Sequence, residues 1–111
     1  MDNYENVWSF GTARVRVAFD VAPEDDLDLS WDDDGSVAAG LNSGLYCAFV
    51  ARVTVDIDGQ EAGCSYLGGC IYKNPSDFIG DGYFRDMVRE AIGEARRFVA
   101  SRPEPLRLRA A

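Results

Sequence analysis

Residues 12–21, TARVRVAFDV, alternate without a break. Ala13, Val15, Val17, Phe19 and Val21 fall on one side, and Arg14, Arg16, Ala18 and Asp20 on the other. A period of two rich in β-branched residues predicts a half-buried strand. The following APED ends it, because Pro23 has no N–H to give to a ladder. The alternation then resumes in EDDLDLSWDDDGS, residues 24–36. Leu27, Leu29 and Trp31 take one side; Asp26, Asp28, Ser30 and Asp32 take the other. This pattern predicts a second strand that displays a row of aspartates. Asp34-Gly35 reads as a hairpin turn, since both residues tolerate positive φ, and SVAAGLNSG, 36–44, as a returning strand that loosens at Gly40 and Gly44. Aspartate is a poor strand former, so such a row costs stability unless another property of the protein selects it.

LYCAFVARVTVDI, residues 45–57, is the longest strand candidate. Leu45, Cys47, Phe49, Ala51, Val53 and Val55 share one face, and Tyr46, Ala48 and Val50 make the other face partly apolar, which predicts a central position in the sheet. Asp58-Gly59 is a second hairpin signal. EAGCSYLGGCIY, 61–72, continues as a less regular strand; Gly63, Gly68 and Gly69 predict a bulge or a close backbone approach. In NPSDF, Asn74 stands as an N-cap, Pro75 at the first helical position and Asp77 near exposed amides, so a short helical turn is expected over about 75–79. Beyond GDG the period changes. Phe84, Met87, Val88, Ala91, Ile92, Ala95, Phe98 and Val99 form one apolar stripe, predicting a helix over about 83–101 with charged residues outside, Asp86–Arg89 and Glu94–Arg97 at pairing distance, and Pro103 as its stop. The tail, 102–111, is short, broken by proline and basic.

The expected architecture is α+β: a single domain over 1–111, with an antiparallel sheet of about four strands within 12–72 and one C-terminal amphipathic helix packed on one face. The other face stays wet or meets a partner.

Charge changes this picture more than composition does. The chain has 111 residues and a net charge of −8. Residues 1–63 hold 13 acids against 3 arginines, a net −10, whereas residues 64–111 hold 6 acids against 8 bases, a net +2. A strongly negative half repels nucleic acid and membrane surfaces and draws basic proteins; negative charge also serves solubility alone. No run approaches the roughly 18–20 apolar residues of a membrane span, and the start, MDNYENVWSF, lacks the basic and apolar regions of a secretory signal. A cytoplasmic protein is therefore expected. Three cysteines, Cys47, Cys64 and Cys70, are an odd number and do not suggest a disulfide framework.

Catalytic chemistry finds little support. There is no histidine, which removes the Cys–His nucleophile, His-ligated metals and the commonest general base. Cys64 and Cys70 lack Cys-x-x-Cys spacing, and the three thiols read as packed small residues. SWDDDGSVAAGL puts Asp32, Asp34 and Gly35 at positions 3, 5 and 6 of a calcium loop. However, Ser30 would be the first ligand, Leu41 replaces the bidentate glutamate, and flanking helices are not expected. GLNSG and YLGGC have no phosphate-loop spacing. Paired carboxylates acting as in glycosidases need a deep cleft, which one sheet and one helix rarely provide. The expectation is no enzyme, no metal and no cofactor.

What remains is the acidic surface. Same-face residues on a strand lie about 6.8 Å apart, while duplex DNA carries one charge per roughly 1.7 Å of axis. A single row of aspartates is too sparse to imitate DNA. Glu24, Asp25, Asp33 and Asp34 flank Asp26, Asp28 and Asp32, and Asp56 and Asp58 lie at the next hairpin. If the hairpin ends meet, these nine form a patch suited to the nucleic-acid-binding groove of a basic protein. This demands order: the aspartates must be held outward by a backbone whose Leu27, Leu29 and Trp31 pack beneath. In size, acidity, the EDDLDLSWDDDG run and the strands-then-helix order, the chain resembles small acidic proteins of phages and mobile elements, the anti-CRISPR and anti-restriction DNA mimics. YLGGCIYKNPSDFIGDGYFRDMVREAIGEAR is also similar to small mobile-element proteins of unassigned role. The resemblance implies a stoichiometric inhibitor of a CRISPR effector that blocks target-DNA binding in the host cytoplasm, as monomer or homodimer, without itself contacting nucleic acid or membrane. The alternatives are an immunity protein or antitoxin against a basic nuclease, a small carboxylate- or thiol-dependent enzyme, and a homodimerising domain.

Overall fold

The computed structural model describes residues 3–101. Four antiparallel strands, β1 (Glu5–Gly11), β2 (Val15–Pro23), β3 (Cys47–Ile57) and β4 (Gln60–Tyr72), form one sheet in the order β1-β2-β3-β4. A short helix α1 (Ser36–Ser43) lies between β2 and β3, and a 3₁₀ turn (Pro75–Gly80) leads into helix α2 (Gly82–Ala100). The fold is α+β, with α2 packed across β4 and β3 on one face of the sheet. Among the described residues no helix is long and apolar enough to cross a membrane.

The strand alternation places the core. Val17, Phe19 and Val21 of β2 and Phe49, Ala51, Val53, Val55 and Ile57 of β3 are buried, together with Phe84, Met87, Ala91 and Ala95 of α2. Phe78, fully buried at 0 % exposure, fills the corner between sheet and helix. Its ring lies 5.6 Å from Phe19, 5.4 Å from Tyr72, 6.1 Å from Phe49 and 6.3 Å from Phe84, within the range of favourable aromatic pairs. At Gly63 the helix backbone rests on β4: a Cβ there would collide with the Ala91 carbonyl oxygen. The expected close approach is thus real. So is the expected bulge, with Gly68 and Gly69 as surplus residues opposite Val50 and Gly69 at φ +71°. The Asp58-Gly59 hairpin has two central residues with positive φ, 53° and 82°, which suits the twist of the strands it joins.

Three expectations are corrected. First, β1 occupies 5–11, upstream of the expected limit of 12. It forms an edge strand whose Trp8 and Phe10, 4.7 Å apart, stay 42 % and 38 % exposed on the helix side. Second, 27–32 is not a strand, and β1 takes a place in the sheet that the sequence did not offer it. Third, Ser36–Ser43 is a helix closed by Gly44 in the left-handed region, and neither a returning strand nor a hairpin at Asp34-Gly35 exists. The turn and final helix lie within a residue of their expected bounds. The tail, with Pro103, Arg102, Arg107 and Arg109, lies outside the described residues.

The open face of the sheet carries a polar cluster. Asp20 accepts from Asn6 Nδ2 (2.9 Å) and Arg52 Nη2 (2.8 Å), and the Arg52 guanidinium lies 3.9 Å over the Tyr4 ring.

Candidate partner-binding surface

Residues 24–46 leave the sheet where β2 ends and return where β3 begins. The Glu24 N–H continues the ladder to Ala48 O (3.1 Å), and its carboxylate accepts from the Gly69 N–H (2.7 Å) in the β4 bulge. Leu27 then packs against that bulge, its Cδ1 3.8 Å from where a Gly69 Cβ would stand. Leu27 and Leu29 are half-buried and line a 390 Å³ hollow with Ala38, Leu41 and Tyr46. Trp31, expected to pack beneath the aspartates with Leu27 and Leu29, is instead turned outward and 58 % exposed.

The aspartates themselves prevent the strand. Asp28 accepts from the Ser30 N–H (2.9 Å) and Asp34 from the Ser36 N–H (2.9 Å), each a turn two residues long. Asp32 reaches the Val37 and Ala38 amides (3.3 and 3.0 Å), satisfying two open donors at the start of α1. Aspartate offers the backbone these local bonds in competition with a ladder. The N–H and hydroxyl of Ser30 hold the Asp28 carboxyl below its usual range, and those of Ser36 do the same for Asp34. Asp25, Asp26 and Asp33 are exposed. Glu5, at the nearby end of β1, shares a shallow hollow with Asp25 and Pro23, so it joins this acidic end. Sequence periodicity missed it because β1 itself was missed.

Asp56 and Asp58 do not join. The β2–β3 ladder runs from Val15↔Ile57 to Pro23↔Phe49. The loop lies beyond the second end and Asp58 beyond the first, on the order of 25 Å away at strand rise. Asp58 is also compensated, bonded through Oδ1 to Arg14 Nε at 3.2 Å. The expected nine-residue patch is therefore split: Glu24, Asp25, Asp26, Asp28, Asp32, Asp33 and Asp34 lie along the one loop at the Pro23↔Phe49 end. No lysine or arginine occurs from Val17 through Ala51.

The thiols are poorly disposed to attack. Burial pushes Cys47, Cys64 and Cys70 upward, Cys70 to about 11, which leaves little thiolate at neutral pH. Among the described residues no group of three or more Cys, Asp or Glu is placed to hold a metal ion. Comparison with known protein families, curated proteins and solved structures found no match.

Proposed function

We propose that the protein is a stoichiometric inhibitor that binds a basic nucleic-acid-binding protein through the acidic loop 24–34. A CRISPR effector whose target-DNA groove is thereby blocked is the partner implied by the resemblance to phage-borne acidic inhibitors, with the host cytoplasm as the place of action. The observation that carries this reading is the way the seven carboxylates are balanced. Four of them, Glu24, Asp28, Asp32 and Asp34, accept from backbone amides, which order the loop without neutralising its charge. A fixed negative surface of this kind steers encounter with a basic groove and displaces the counterions that nucleic acid would displace. No catalytic role is assigned to any residue.

The test uses Asp→Asn changes at 26, 28, 32, 33 and 34. An asparagine carbonyl still accepts the backbone bonds, so charge is removed with the loop retained. The wild-type chain is used as bait in lysate of a CRISPR-bearing host at low and high salt, with mass spectrometry of the eluate. The captured protein's DNA binding is then measured with each variant. The expected result is capture of a basic nucleic-acid-binding protein at low salt only, inhibition of its DNA binding, and at least tenfold weaker binding by the neutralised variant. Changing Asp56 and Asp58 to Asn leaves binding within about twofold. Equal inhibition by the five-Asn variant refutes the proposal.

A further inference from the structure

Beside the acidic loop, the outer part of β4 and the corner leading into α2 enclose a 380 Å³ cleft lined by Trp31, Leu67, Cys70, Tyr72, Phe78 and Tyr83, with Gly68 and Gly69 as its floor. Two of its aromatic walls are open to solvent, Trp31 at 58 % and Tyr83 at 60 %. A monomer gains nothing by exposing two large rings around one hollow, whereas buried aromatic anchors dominate binding at protein interfaces. The cleft lining itself carries no charged side chain, and acids bond to it from just outside. Glu24 is bonded to Gly69, and Asp81 accepts from the Tyr72 hydroxyl (2.7 Å) and the Tyr83 N–H (3.0 Å). Asp32 and Asp33 follow Trp31 directly. A smaller hollow shares Leu67 and Tyr83 and adds Asp86 and Glu90. No lysine or arginine lines either one.

The ionisable groups inside feel the same field. After burial, the charges that push the Cys70 thiol up are Glu24 and Asp81. The Tyr72 phenol is raised to about 12, by burial first and then by Asp81. Burial, the first cause of both shifts, penalises charge of either sign; the share that comes from Glu24 and Asp81 favours a cation, and the exposed rings favour one with a flat, weakly hydrated head. A guanidinium meets both demands, stacking on rings while its N–H groups reach carboxylates; an ammonium is more strongly hydrated and stacks less well.

We propose that this cleft seats an arginine side chain of the basic partner, with Trp31 and Tyr83 as its stacking walls and Glu24 and Asp81 as its countercharges. This rests on the inhibitor reading and sharpens it: the loop supplies long-range attraction, and the cleft supplies the point of register.

The probe is an acetylated, amidated tri-arginine peptide, with its tri-citrulline counterpart as the uncharged isostere, titrated into the full chain at low salt and followed by amide and indole NMR. The expected result is saturable movement of the Trp31 indole N–H and the Gly68 and Gly69 amides, with the Trp8 indole, on the opposite edge of the sheet, unmoved. Tri-citrulline binds at least tenfold more weakly. Trp31→Ala and Tyr83→Ala, both changes of exposed side chains that leave the core intact, each weaken tri-arginine binding by roughly 3- to 30-fold. Equal binding of the two peptides, or unchanged affinity in both variants, overturns the cleft. The captured partner then separates the two ideas. If the five-Asn variant loses it and Trp31→Ala does not, the inhibitor reading stands and the cleft fails. If neither variant loses it, both fail.

Discussion

The two ends of the β2–β3 ladder both carry aspartates, and they treat them differently. At the Val15↔Ile57 end the chain turns in two residues, and Asp58 meets Arg14. Its charge is cancelled by a neighbouring cation, and its conformation serves the turn. At the Pro23↔Phe49 end the chain makes a long excursion, and four of the seven acids there meet amides. Amide dipoles hold a carboxylate in place yet leave its full charge to act outward. A count of acidic residues therefore says less about a binding surface than the identity of what each acid touches.

The strongest test of this contrast removes what both ends share. Phe78 joins the rings of β2, β3, β4 and α2, so Phe78→Ala should cost about 3–5 kcal/mol in urea unfolding. Both ends should then loosen together by amide exchange; unequal loss would show that the loop is stabilised apart from the core. A smaller effect separates the ends. Asp32→Ala deprives the start of α1 of its acceptor and should cost about 1 kcal/mol, with faster exchange confined to the Val37 and Ala38 region and none at Asp58. Asp32→Asn, which keeps the acceptor, should restore most of it. If the Ala and Asn variants behave alike, the cap is not what orders the loop.

Acidification should give the mildest effect. The carboxyls of Asp28, Asp34 and Asp81 sit below their usual value of 3.8. A folded-state value below the unfolded one contributes stability above the unfolded value, and that contribution disappears as pH falls through the folded one. The turns at Ser30 and Ser36 should thus be unchanged from pH 7 to about 5 and loosen below the usual carboxylate range. Loosening near pH 6 would contradict the assignment.

Much of the fold could be read from local patterns, and much of the candidate surface could not. Val17, Phe19 and Val21 alternate and are buried; Leu27, Leu29 and Trp31 alternate equally well and never pair. The first set has a neighbouring strand whose backbone groups need partners. The second is interleaved with aspartates that satisfy nearby amides by themselves. Periodicity records which side chains prefer to be out of water and is silent on where the backbone bonds go. In β1, the bulge that leaves Val7 unpaired between Asn6 and Trp8 breaks the alternation that would have marked the strand.

Local pattern suffices for β2, β3 and β4, the Asp58-Gly59 turn and helix α2. Each rests on interactions within a few residues, or on a repeat that matches a strand or helix. Tertiary structure alone decided that Asp56 and Asp58 lie at the far end from the acidic loop, that Phe78 joins the layers, and that Trp31 and Tyr83, 52 positions apart, wall one cleft. Those relations depend on strand direction and on which elements end side by side, and no local period encodes them.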